Sequence, residues 1–133
     1  MLKPVLANTN FMMNRLTLFL LLALVVCGCK HETTTTYILK NESSYAFQLK
    51  VKYGTTDETI SFQPNESNTI AVFEGRVVAT VLKFDSLIII PPPNLKALKD
   101  LKADGVWTKE DGKKKNGKYQ AYYNASIINS DFK

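Results

Sequence analysis

The sequence contains one histidine, His31, and two cysteines, Cys27 and Cys29, and so has little imidazole or thiol for nucleophilic or metal chemistry. Without a second histidine, no nucleophile in the remainder of the chain has an imidazole base to activate it. The two cysteines stand one residue apart, too close for an unstrained disulfide. Read as a Cys-x-Cys metal pair they have only His31 as a further strong ligand, short of the four that a closed zinc site uses. The chain also lacks a glycine-rich phosphate loop, cysteine pairs at zinc-finger spacing and a calcium loop of alternating acids. No cofactor and no metal is therefore expected. The longest apolar run, Leu16 to Val26, is interrupted only by Thr17. It falls well short of the roughly 20 residues that a membrane-spanning helix needs.

That run is the most informative segment present. Asn14-Arg15 precedes it and Cys27-Gly28-Cys29 follows it, which gives the cationic flank, apolar segment and small-residue end of a secretory signal. Residues 1 to 28 are expected to be cleaved away. The stretch from Met1 to Met12 dilutes a single Lys3 with Pro4 and Asn8-Thr9-Asn10, so Met12 or Met13 makes a better start of the leader.

Val26-Cys27-Gly28-Cys29 resembles the lipobox of bacterial lipoproteins, in which a branched apolar residue lies three positions before the lipid-modified cysteine and a small residue directly before it. The small residue has a steric reason: the peptidase must cut beside a cysteine that already carries a bulky diacylglyceryl thioether. Gly28 meets that need for Cys29, whereas Val26 would stand at the cut if Cys27 were the acceptor. Cys29 is the expected lipidation site. Two or three acyl chains at about 0.8 kcal/mol per buried CH₂ hold a protein stably on a bilayer. Removal of Cys27 and blocking of Cys29 leave the folded part without a disulfide, dependent on its core alone.

The next residues, Cys29-Lys30-His31-Glu32, are similar to the start of mature lipoproteins from Bacteroidota. There, a lysine and then acidic residues accompany export to the outer face of the outer membrane. The resemblance implies an outer-membrane, lipid-anchored protein exposed at the cell surface. Residues 29–36 are expected to be a lipidated tether, in which Thr33-Thr34-Thr35-Thr36 is a polar, β-branched spacer that reads as tether at first and strand later, and residues 37–133 a single domain.

Within that domain the hydrophobic period is two. Tyr45, Phe47, Leu49, Val51 and Tyr53 alternate with Ala46, Gln48, Lys50 and Lys52, the signature of a half-buried antiparallel strand. Further strands are expected over residues 37–40, 58–62, 68–73, 76–84, 86–90 and 118–128. Turns are expected at Asn41-Glu42-Ser43-Ser44, Gly54-Thr55-Thr56-Asp57 and Pro64-Asn65-Glu66-Ser67, whose residues bond their own backbone or tolerate positive φ. Leucines at every third position from Asn94 to Ala103, with Gly105 beyond, predict one short surface helix. Glu110 to Gly117 reads as a loop. Together these elements predict an all-β, antiparallel sandwich of about seven strands. Its elements look like the Ig-like sandwiches of small Bacteroidota lipoproteins: Asn41-Glu42-Ser43-Ser44-Tyr45, Asp85-Ser86-Leu87-Ile88-Ile89, Trp107 and Ile127-Ile128-Asn129-Ser130-Asp131-Phe132. That group has no assigned activity.

Removing Lys3 and Arg15 with the leader takes the 17 basic side chains to 15 against 12 acidic ones, a net charge of +3. So modest an excess argues against nucleic acid as a partner. Lys113-Lys114-Lys115 with Lys118 is the one dense basic patch. It reads as a contact for anionic headgroups, acidic glycans or a protein, or as a solvated hairpin tip that discourages edge pairing. Trp107 reads as a sugar-stacking platform or as core filler. On the last strand Tyr119, Ala121, Tyr123, Ala125 and Ile127 share the apolar face. Tyr122 is left on the solvated face with Lys118, Gln120, Asn124 and Ser126, a combination suited to a sugar ring. Trp107, Tyr122 and Lys118 are therefore the candidate ligand contacts. The leading expectation is a non-enzymatic envelope module that binds a glycan or protein or serves an accessory role. The alternative is a small envelope hydrolase, built on a convergent carboxylate pair, or a hydrolase inhibitor.

Overall fold

The structure, a computed structural model, describes residues 32–133, apart from the side chains of Asp111 and Lys113. The expected signal peptide over residues 1–28, Cys29 and His31 lie outside the described residues. Seven strands form two sheets: β1 (Glu32–Asn41), β2 (Phe47–Tyr53), β3 (Thr56–Phe62), β4 (Ser67–Gly75), β5 (Ser86–Ile90), β6 (Thr108–Lys115) and β7 (Lys118–Ile127). One sheet has the order β4-β1-β7-β6 and the other the order β3-β2-β5. The described residues thus form an all-β sandwich, as their period-two patterning predicts.

The two sheets share one core. Tyr37 and Leu39 from β1 and Ile127 from β7 meet Phe47, Leu49 and Val51 from β2, all buried. The alternation on β2 falls as read, with Phe47, Leu49 and Val51 inward and Gln48, Lys50 and Lys52 outward. Burying an aliphatic side chain of this size contributes roughly 1.5–3 kcal/mol. Between β1 and β4 the register slips at Tyr37/Ile38, so that Ile70 is the extra residue of a β-bulge. That slip is why the adjacent Ile70 and Ala71 are both buried.

Turn chemistry follows the sequence closely. Gly54 has φ +54°, which only glycine takes at no steric cost, at the first position of the two-residue β2–β3 turn. Asn116 and Gly117, at φ +52° and +74°, form the Asn-Gly turn between β6 and β7. Asp111-Gly112, expected to turn as well, instead sits in a second bulge, where β6 slips against β7 between Asp111 and Lys114.

Four expectations are corrected. Residues 32–36, assigned to a tether, belong to β1, because Thr33 to Thr36 pair with β4 on one side and β7 on the other. Their β-branched side chains suit a pleated surface, and Thr33 and Thr35 are buried in it. Residues 76–84 are not a strand. Val77 is 75% and Leu82 81% exposed, and backbone bonds from Lys83 to Thr80 and from Phe84 to Val81 close a 3₁₀ turn. The segment crosses from one sheet to the other. The loop read at 110–117 is largely strand β6, whose charges suit a sheet edge.

The fourth correction concerns Asn94–Ala103, which forms no helix. Lys96 and Lys133 exchange backbone hydrogen bonds, and the Leu98 amide donates to Asp131 O, so donors a helix would use internally are spent on the chain's end. Lys99 Nζ adds a bond to Ser126 O and an ion pair with Asp131 at 3.1 Å. Leu101 is buried while Leu98 is exposed, so the leucines do not share a face.

The strand order differs from the immunoglobulin constant arrangement, in which the first strand is at a sheet edge. Here β1 lies inside a sheet, antiparallel to β4 and parallel to β7.

Candidate functional site

The three candidate contacts do not converge. Lys118 and Tyr122 lie on the outer face of β7, four residues and hence about 13 Å apart along the strand. Lys118 is also engaged, in a 2.8 Å ion pair with Glu32 across the β1–β7 ladder. The hydrogen bond to Glu32 and its charge raise the lysine's pKa. Tyr122 is half-buried, and its hydroxyl donates to Gln120 Oε1 at 2.9 Å, two residues away on the same face. Trp107 lies on the opposite side of the sheet and packs against the core.

The surroundings of Trp107 are built from the centre of β1. Tyr37 is fully buried, stacked on Tyr123 at 4.9 Å and 8°, and edge-on to Trp107, Phe84 and Phe73 at 5.0, 5.0 and 6.0 Å. Its hydroxyl donates to Ala79 O at 3.0 Å, and the Ala79 amide donates to Thr35 Oγ1 at 2.9 Å. These bonds pin the crossover segment onto β1. Burial, with the nearby Tyr123 as a lesser cause, raises the Tyr37 hydroxyl's pKa well above that of an ordinary tyrosine. Trp107 Nε1 donates to Leu101 O at 2.7 Å, so the indole is held by its polar edge. Tyr37, Trp107 and Tyr123, with Thr80, Val81 and Ala103 to Gly105, line a hollow of about 150 Å³.

A larger groove, of about 430 Å³, lies where β2 begins and β3 and β5 end. Its lining is Ala46, Phe47, Gln48, Ser61, Gln63, Ile90 and Pro91 to Pro93. The register explains the grouping, since Gln48 stands opposite Ser61 on β3 and opposite Ile90 on β5. Three consecutive prolines then carry the chain away without offering a backbone donor. The groove therefore sets apolar ring surfaces beside two amides and a hydroxyl, and no charged side chain lines it. The sequence signal was present in Pro91-Pro92-Pro93 and in Gln48, but only strand pairing brings them together.

Among the described residues no group of three His, Cys, Asp or Glu side chains is placed to hold a metal ion. Comparison of the chain with protein-family models, with curated proteins and with solved structures finds no match to any of them.

Proposed function

We propose that this chain is an outer-membrane lipoprotein, anchored through Cys29, whose sandwich is a non-enzymatic module that binds a neutral glycan in the Pro91–Pro93 groove. The observation that carries the reading is the groove's lining. A sugar ring presents an apolar C–H face and a rim of hydroxyls. Proline rings and Ile90 suit the first, while the Gln48 and Gln63 amides and the Ser61 hydroxyl suit the second. The absence of charge along the groove favours a neutral ligand over an acidic one. Kinship with Ig-like lipoprotein sandwiches is part of the proposal at the level of the two-sheet architecture, not of strand order.

Placement supports the same reading. Only Lys30 and His31 separate Cys29 from β1. An extended chain from Cys29 to Glu32 reaches at most about 11 Å, which would hold the Glu32 end of β1 near the bilayer. The groove lies at the other end, because Asn41, the last residue of β1, bonds to Gln63 O in the groove wall.

Two experiments test the proposal. In the first, Cys29→Ala is expressed in cells fed an alkynyl fatty acid. Loss of label and of membrane fractionation is expected, and a variant that keeps both overturns the anchor. In the second, the full chain in a polyoxyethylene detergent is screened against neutral and acidic glycans. A neutral oligosaccharide is expected to bind, with Gln48→Ala weakening it about tenfold, the worth of one good hydrogen bond. Tyr122→Ala is expected to have no effect. A panel without a binder, or a binder lost with Tyr122 and indifferent to Gln48, removes the groove from consideration.

A further inference from the structure

The hollow beside Trp107 has a chemistry different from that of the groove. We propose that it is a binding site for a methylated or quaternary ammonium group. Two partly exposed aromatic rings, Trp107 and Tyr123, line it above the fully buried Tyr37: Tyr37 and Tyr123 are parallel within 8° and Trp107 stands at 82° to Tyr37, so the two exposed rings are nearly perpendicular. Electron-rich ring faces attract a cation by their quadrupole, most strongly at tryptophan, and sites of this composition recognise quaternary ammonium groups. The volume, about 150 Å³, equals that of a cavity that accepts benzene; a trimethylammonium group is of comparable bulk.

Charge and rigidity favour the same ligand. Asp104 is the one charged residue in the lining, and it is acidic. The nearby Lys102 is turned elsewhere, its Nζ donating to Phe84 O at 2.8 Å and Asp85 O at 3.2 Å. Two of the rings are fixed by their own polar atoms, Tyr37 through Ala79 O and Trp107 through Leu101 O. A ligand therefore meets a wall that is already ordered and loses little affinity to its rearrangement. Trp107 and Tyr123 are each only partly buried, which leaves the hollow open to solvent.

Trp107 is the single tryptophan of the chain, so its fluorescence reports on this hollow directly. The full chain in a polyoxyethylene detergent is titrated with choline and with 3,3-dimethyl-1-butanol, its uncharged isostere. The intact chain is then mixed with vesicles of phosphatidylcholine or of phosphatidylglycerol. A saturable change with choline, at least tenfold weaker with the isostere, is expected. Asp104→Asn should weaken choline several-fold, and Tyr123→Leu should abolish the change while Trp107 remains as reporter. If Tyr123→Leu fails to fold, the exposed Asp104→Asn still decides, together with the isostere. A response to phosphatidylcholine vesicles but not to free choline assigns the ammonium group to a lipid headgroup, and the reverse assigns it to a soluble amine. No saturable change with any ammonium probe, equal response to the isostere, or equal response to phosphatidylglycerol vesicles overturns the proposal.

Discussion

Asn41→Ala is expected to cost about 3 to 4 kcal/mol of stability, read as a fall in the urea midpoint with an unchanged slope. Asn41 is 0% exposed at the end of β1. Its Nδ2 donates to Tyr45 O at 2.7 Å and to Gln63 O at 3.0 Å, and its Oδ1 accepts from the Ser43 amide at 3.0 Å and the Ser43 hydroxyl at 2.7 Å. The orientation of the amide is unambiguous, since reversing it would set oxygen against two carbonyl oxygens. Alanine would remove all four of these bonds, at about 1 kcal/mol each, while Tyr45 O keeps the Ser43 hydroxyl and Gln63 O keeps the Glu66 amide as donors. Two main-chain ties remain in the alanine variant, since the Asn41 amide donates to Glu66 O and its carbonyl accepts from the Asn65 amide. Asn41→Asp separates shape from charge. A neutral carboxyl retains much of the network, but an ionised one faces those same carbonyls, so the folded-state pKa is raised. Stability is then highest below the unfolded value of about 3.9 and falls as pH rises above it. An Asn41→Asp variant with a flat pH profile, or an Asn41→Ala variant within about 0.5 kcal/mol of the parent, would show that the side chain is not holding these loops.

Tyr37→Ala should be at least as costly, about 3 to 5 kcal/mol, because it removes the ring on which four other aromatic rings pack and leaves a cavity in a filled core. In a domain whose total stability is about 5–15 kcal/mol, either change takes a large fraction of it. Tyr37→Phe keeps the packing and removes only the bond to Ala79 O, and is expected to cost about 1–3 kcal/mol. The two variants also differ optically. The sole tryptophan loses an edge-on neighbour in Tyr37→Ala, so its emission should shift to the red while the protein is still folded, whereas Tyr37→Phe should leave it in place. Equal thermal midpoints for the two variants would mean that the ring contributes nothing beyond its hydroxyl.

Both residues show how far local pattern carries. The Asn41-Glu42-Ser43-Ser44 turn and the inward set Phe47, Leu49 and Val51 were legible, because an Asx-type turn and a period of two are written in neighbouring residues. The faces of β7 were legible for the same reason, with Ala121, Ala125 and Ile127 buried as expected. Errors arose where distant partners decide. Asn94–Ala103 carries helical spacing, but its amides and carbonyls meet residues 131–133 instead. Glu110 to Gly117 reads as loop by composition, and only the ladder with β7 makes most of it strand β6. The expected and observed strand counts agree although one member differs, 108–115 replacing 76–84. Of the candidate contacts, Trp107 does line a hollow, whereas the sequence marks Tyr37 beside it only as the start of a strand and Tyr123 only as a member of the apolar face. Gln48 and Pro91 to Pro93 carried no mark of convergence, since they are separated by more than forty residues of chain.

The parallel pairing of β1 with β7 has a kinetic meaning. β1 begins at residue 32 and β7 at residue 118, yet they are neighbours at the centre of one sheet. Local hairpins such as β2–β3 and β6–β7 close within microseconds, but pairing Glu32 of β1 with Lys118 of β7 demands the closure entropy of a far longer loop, one that spans most of the domain. The four-stranded sheet therefore cannot assemble until its last strand has been synthesised. A nascent chain emerging from the ribosome would keep one side of β1 unpaired until β7 has followed it out.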